Sequence, residues 1–348
     1  MERKWIVAML SEMVLLVSCQ RELNQTKLTV DAEIEPSANA TKAIFTGTKF
    51  LQGSTIRIFV YYAENTTPMT QFVPYSEKYV NIQGKYSTSS PEWTFRFTGA
   101  TTTFDDGIYL MDPDVDVFTD GLAVHAYSPW LENVQSIDAV PFTVGGNYSK
   151  VVDLMYAEQN STSENAKIIP DGNAKSVRFT FRHAMAMLNI GFKCKHDQTK
   201  MAITSVTLEK KNGGATELYS GGVFDAVNGV FNDSEMTKGE SVTTSYEAQN
   251  YSFDNSDYFY VPFLIVPVEY LTDGDYILKF KFNGQDLAVS YPIKKEDIAV
   301  IEGGATRYEF RQGYSYTFNF TFNNFVQIDD VTVNVSDSWP VEEHKFFF

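Results

Sequence analysis

A length of 348 residues bounds the chain to one large or two ordinary domains, since a single core usually takes roughly 100 to 200 residues. Lys and Arg number 28 against 44 Asp and Glu, a formal net charge of −16, which leaves little cationic surface for phosphates and excludes nucleic acid as a partner. Hydrophobic residues at 43% and aromatics at 15% exclude a globally disordered chain, and no apolar run reaches the ~20 residues of a membrane-spanning helix.

The N-terminus carries Arg3 and Lys4 ahead of an apolar stretch that ends at Leu16-Val17-Ser18-Cys19. A basic start, a short apolar run and small residues at its end describe a lipoprotein signal peptide over residues 1–18, with Cys19 as the lipidated (palmitate-bearing) first residue of the mature chain. Several acyl chains hold a protein at a membrane where one would not. Gln20-Arg21-Glu22 lacks the Asp after cysteine that marks inner-membrane retention, so the expected location is the outer membrane, reached through the lipid anchor. Lipidation would leave Cys194 as the other of only two cysteines, with no disulfide framework to stabilise the fold.

Next in order, Leu28, Val30, Ala32 and Ile34 alternate with polar residues as a half-buried strand does. Residues 36–41 then form a protease-accessible connection ahead of Lys42 and Ala43. Period-two alternation recurs in 56–62, 93–98, 122–127, 176–181, 202–208, 276–282, 314–322 and 331–335, and turn signals such as Asn228-Gly229 and Asn283-Gly284 separate the segments. Antiparallel strands in an all-β sandwich follow. The polar stretch 158–175 divides the chain into expected domains at 43–165 and 166–348. Just beyond it, the apolar parity changes near Met187 and Leu188, which predicts a β-bulge or a strand crossing between sheets.

Chemistry-bearing motifs are sparse. His183 sits on an apolar face, where a core imidazole is the expected role and a catalytic one the alternative. Asp112, Asp114 and Asp116 open like a calcium loop, but Val117 and Ala123 stand where glycine and a bidentate glutamate are required, so a solvated acidic turn is expected. The Gly221-Gly222 and Gly303-Gly304 pairs read as turns. No nucleophile elbow, zinc-binding helix or phosphate loop occurs, so neither an enzyme nor a metal or cofactor is expected. Trp93 and Trp130 read as core anchors or, alternatively, as sugar-stacking platforms.

Several phrases together resemble the fimbrillin family, the type V pilus subunits and related surface lipoproteins of Bacteroides-type bacteria. They are Thr41 to Thr48 (TKAIFTGT) with Gly53 and Ile56-Arg57-Ile58-Phe59, then Val115 to Phe118, Val124 to Pro129 (VHAYSP) and Asp153 to Ala157 (DLMYA). They continue with Phe181 to Leu188 (FRHAMAML) and Gly313 to Phe318 (GYSYTF) ahead of Trp339. The resemblance implies two tandem transthyretin-like Greek-key β-sandwich domains and cell adhesion as the role. It also implies removal of the N-terminal strand by a trypsin-like protease after an Arg or Lys, here Lys42, and donor-strand insertion from another fimbrial subunit into the vacated groove. Residues 19–42 would then be a propeptide-like segment, with Leu28, Val30, Ala32 and Ile34 displaced. Val331, Val333 and Val335 are candidate donor residues or the last core strand, and the terminal His344-Lys345-Phe346-Phe347-Phe348 is the other candidate. The alternative is a non-polymerising surface lipoprotein that binds a glycan or a host protein.

Overall fold

The computed structural model describes residues 25–34, 50, 52–62, 74–99, 103–111, 121–148, 151–158, 168, 173–196, 200–211, 217–247, 251–269, 274–324 and 327–337. Among them the regular structure is β-strand, interrupted by three short 3₁₀ turns at Glu77–Tyr79, Asp233–Glu235 and Lys295–Ile298. The all-β expectation is met, and every alternating segment from 56–62 to 331–335 coincides with a strand, although 93–98 runs two residues past Trp93–Arg96 and 314–322 starts one residue before Ser315–Asn324.

Eight strands form the largest sheet, in the order Trp93–Arg96, Ile82–Tyr86, Thr55–Tyr62, Leu122–Ser128, Met155–Glu158, Lys175–His183, Gln25–Ile34, Ile108–Met111. This sheet wraps around one core. Phe50 meets Trp93 from the first of these strands and Phe181 from the sixth, each edge-to-face at 5.2 Å, so distant parts of the sheet converge on one ring. A second core lies between two facing sheets. One runs Phe259–Ile265, Ala186–Cys194, Ser315–Asn324, Gln327–Ser336; the other is built on Val289–Pro292, Tyr276–Phe282, Met201–Lys210 and Ser241–Ser245. Phe280 of one sheet packs on Phe320 of the other at 4.7 Å and on Phe192 at 5.3 Å, which is the contact pattern of a sandwich.

Two strands place fully buried side chains in both cores. In Thr55–Tyr62, the side chains of Ile56, Ile58 and Val60 enter the first core while Phe59 and Tyr61 enter the second. In Leu122–Ser128, Leu122, Val124 and Ala126 face the first and Tyr127 the second. Period two makes this division possible, because successive side chains leave a strand on opposite sides. Strand pairing also crosses residue 165 in both directions: Lys175–His183 pairs with Met155–Glu158 and Gln25–Ile34, whereas Val140–Thr143 pairs with Leu218–Asp225.

The parity change after 175–183 is a crossing between sheets. The strand ends at His183, Ala184 and Met185 bend fully buried, and Ala186–Cys194 continues inside the four-stranded sheet. The break falls slightly before Met187 because the second strand is covered on both faces, and such a strand carries no alternation to mark its start. Gly303-Gly304 is the two-residue turn closing the Ala299–Glu302 and Ala305–Phe310 hairpin, with φ of 57° and 82°. Gly221-Gly222 corrects the sequence reading: both lie inside the Leu218–Asp225 strand, at a register shift. A Cβ on Gly222, whose φ is +153°, would come within 2.6 Å of Met236 Sδ and 3.0 Å of the Glu235 carbonyl oxygen, so glycine is there for close approach.

Candidate functional site

The alternating residues at 28–34 form the strand Gln25–Ile34, set between two partner strands whose pairings meet at Leu28. It runs parallel to Lys175–His183, with Leu28 opposite Lys175 and Ile34 opposite Phe181, and antiparallel to Ile108–Met111, with Leu28 opposite Ile108. Leu28 is fully buried, Ala32 and Ile34 nearly so, and Val30 packs partly buried against the same core. Thr26, missed by the sequence reading because a threonine looks polar in a periodicity count, extends the inward row at 0% exposure. The outward row is held by charge. Lys27 Nζ lies 2.7 Å from Asp106 Oδ2, and Arg178 Nη2 lies 2.8 Å from Glu33 Oε2. The Asp106 carboxylate raises the Lys27 ammonium above its ordinary value, and the ammonium in turn holds Asp106 below its own.

The last strand, Gln327–Ser336, pairs antiparallel with Ser315–Asn324 and ends its sheet. Val331, Val333 and Val335 stand opposite Phe320, Phe318 and Tyr316 and pack partly buried against the second core, while Thr332 and Asn334 are exposed. A cavity of about 570 Å³ opens beside it, lined among others by Tyr291, Lys294, Asp297, Val331 and Val333. Its polar wall is already satisfied: Tyr291 donates to Asp297 Oδ2 at 2.8 Å, and the Lys294 backbone N–H donates to the same oxygen at 2.9 Å.

Cys19, Lys42 and Ala43 lie outside the described residues, as do Asp112, Asp114 and Asp116 and the terminal phenylalanines. His183 proves to have a side-chain partner: Nδ1 stands 3.0 Å from the carboxylate of Asp153, which is itself 1% exposed. Thirty residues separate the two in the chain, and antiparallel pairing of Lys175–His183 with Met155–Glu158 brings them together. The pair holds the crossing segment against the preceding strand, beside the Ala184 N–H that donates to the Leu154 carbonyl at 2.8 Å. Trp93 is a core residue, 4% exposed and packed on Phe50 and Tyr86. Trp130 is half-buried, with its indole Nε1 donating to Asn81 Oδ1 at 2.9 Å. Cys194 is a buried free thiol whose environment pushes its pKa up to about 11. Among the described residues there is no cluster of three or more metal-ligating side chains, and no helix is long and apolar enough to cross a membrane.

Comparison with known proteins places this arrangement. A family model described as fimbrillin-like matches residues 41–339. No curated protein sequence matches the chain. Among solved structures, a candidate cell adhesion protein from Bacteroides ovatus aligns at 16% identity and a TM-score of 0.52, covering 91% of this chain and 98% of that one. Another from Bacteroides uniformis aligns at 16% identity and 0.52, covering 90% and 97%. The tip fimbrial protein Mfa3 from Porphyromonas gingivalis, C-terminally truncated, aligns at 11% identity and 0.41, covering 90% and 98%.

Proposed function

Because the chain belongs to the fimbrillin-like family, and so has a fimbrial or adhesion-related role at the cell surface, we propose that it is a structural or accessory subunit assembled by strand insertion. The observation that carries this reading is the place of Gln25–Ile34: the first described strand of the chain fills an interior slot of the eight-stranded sheet. Withdrawing it would leave Lys175–His183 with an open edge and remove the described strand to which Ile108–Met111 pairs. It would also empty a row of seats now filled by Thr26, Leu28, Val30, Ala32 and Ile34. An unpaired edge beside an apolar groove is a template for an incoming strand.

In this reading the chain is exported as a lipoprotein on Cys19 to the outer membrane, and a trypsin-like protease cuts between Lys42 and Ala43. The freed slot accepts a strand from the C-terminal end of another subunit, where Val331, Val333 and Val335 repeat the every-second-residue spacing of Leu28, Val30, Ala32 and Ile34. The partners are therefore other fimbrial subunits, in a homo- or heteropolymer, and a host or bacterial surface ligand for the assembled fibre. No cofactor or nucleotide enters, because the assembly energy comes from refilling the slot.

The test is to treat the purified lipid-free protein with a Lys-cleaving protease. Release of the segment ending at Lys42 with formation of heat-resistant oligomers is expected; a nicked product that stays monomeric would overturn the proposal. A Val333→Asp substitution should abolish the oligomers, because a carboxylate at the centre of the inserted strand would be buried unpaired.

A further inference from the structure

The sheet places three polar side chains in one transverse row. Arg57 on Thr55–Tyr62 stands directly opposite Gln83 on Ile82–Tyr86, and Gln83 stands directly opposite Arg96 on Trp93–Arg96. Residues directly opposite in an antiparallel pair project to the same face, so the row runs from the interior outward. Arg57 is fully buried, whereas Gln83 and Arg96 are partly exposed. Trp130 lies over the row, its ring centroid 6.0 Å from the Arg57 guanidinium and 5.6 Å from that of Arg96. Phe104, 37% exposed, lies 5.6 Å from Arg96 as well, so that guanidinium is held by two rings.

The row is rich in donors and has few acceptors. Among the described residues neither Arg57 nor Arg96 makes an ion pair, and the side chain of Gln83 makes no hydrogen bond. Arg57 gives one hydrogen bond, from Nη2 to the Val134 carbonyl oxygen, and its Nε and Nη1 have no partner. Asn81, whose amide oxygen takes the Trp130 N–H, presents its NH₂ group beside the same indole. Two uncompensated guanidinium groups on one tryptophan stand out in a chain of net charge −16, where acids outnumber bases by 44 to 28. Aromatic faces bind a guanidinium through its π-surface and leave its N–H fork free in the guanidinium's own plane, the geometry that takes a carboxylate or sulfate through two parallel hydrogen bonds.

We propose that Arg96, Gln83, Asn81 and Trp130 form a binding site for an acidic saccharide. The anionic group of the sugar, a carboxylate or a sulfate, sits on the Arg96 fork. Gln83 and Asn81 donate to ring hydroxyls, and the exposed edges of Trp130 and Phe104 give the apolar contact that sugar C–H faces take. Arg57 contributes its charge from behind the indole without touching the ligand. The inference rests on the surface role proposed above and is independent of strand exchange.

Isothermal titration of the purified, uncut protein with three ligands built on one disaccharide tests it: lactose, 3′-sialyllactose and lactose 3′-sulfate. At least one of the two acidic ligands should bind 10-fold or more tightly than lactose and weaken as salt rises from 0.05 to 0.5 M; which of the two binds identifies the anionic group. Arg96→Gln should lower that affinity at least 10-fold with an unchanged thermal melt, whereas Lys193→Gln, in the Ala186–Cys194 strand of the four-stranded sheet, should not alter it. Equal binding of lactose, no binding of any of the three, or an Arg96→Gln protein that binds as the parent does would overturn the site. Arg96→Gln should still form oligomers after Lys-specific cleavage, so loss of sugar binding and loss of assembly separate as results.

Discussion

If Gln25–Ile34 is the removable occupant of a slot, a chain beginning at Ala43 should fold with that slot empty and accept the strand back as a separate peptide. The magnitude follows from burial. Leu28 and Ile34 each contribute roughly 1.5 to 3 kcal/mol when taken from water, with smaller shares from Val30, Ala32 and Thr26, so the apolar loss is on the order of 5 to 10 kcal/mol. With a urea dependence of about 3 kcal/mol per molar, the first core of the 43–348 chain should unfold about 2 to 3 M earlier than that of the full chain. A synthetic peptide of residues 25–34 should bind the truncated chain and restore the midpoint, since a ligand that binds only the folded state stabilises it by mass action. The same peptide carrying Leu28→Ala leaves a cavity at a fully buried position, costs about 2 kcal/mol or more, and should bind about 30-fold or more weakly. Fluorescence-monitored urea titrations with and without each peptide measure both quantities. A truncated chain as stable as its parent, or one indifferent to the peptide, would refute the slot.

Three further expectations concern the scaffold. Burial lowers the pKa of His125, 3% exposed in the wall between the cores, to about 4 against about 6.5 when unfolded. The imidazole therefore contributes its full stability above pH 6.5 and loses it as the pH falls toward 4, by about 3 kcal/mol over that interval; the pH slope of stability in His125→Gln should be flatter by that amount. Gly222→Ala should cost at least about 2 kcal/mol, because its Cβ meets backbone as well as the Met236 sulfur, whereas Gly146→Ala, also at positive φ but with open space around it, should cost about 1 kcal/mol; thermal melts compare them. Phe192→Ala removes the ring that touches Phe253, Phe280, Phe282 and Phe322 and should destabilise by about 3 to 5 kcal/mol in the same assay.

What was legible in the sequence is what alternation encodes. Strands with one wet face, such as Gln25–Ile34 and Tyr276–Phe282, were visible with their inward residues because each polar position marked the outside. Strands buried on both sides hid their role: Leu122–Ser128 reads as an ordinary strand although His125 and Tyr127 face one core and Val124 and Ala126 face the other side. Register was beyond reach as well. Arg57, Gln83 and Arg96 are scattered over 40 positions, and nothing in their local sequence shows that two hairpins align them in a row; the pairing of His183 with Asp153 is hidden for the same reason. Trp93 and Trp130 had the same two readings from sequence, and only burial separated the core ring from the surface one.

The parallel pairing of Gln25–Ile34 with Lys175–His183 also sets a timetable. Thr29 Oγ1 donates to the Lys175 carbonyl oxygen 146 residues away. During synthesis at roughly 5 to 20 residues per second, the early strand has waited on the order of ten seconds before its neighbour exists. Closing a loop of that length costs about 4 kcal/mol of chain entropy, so the pairing comes late even when both strands are available. Until then Val30, Ala32 and Ile34 lie beyond the reach of Ile108–Met111, which pairs only with Gln25–Leu28, and the edge of Lys175–His183 is unclaimed once it forms. The last seat to be filled in the first sheet is therefore the one proposed for subunit exchange, and a newborn chain passes through the same open state that the proposed proteolysis would recreate.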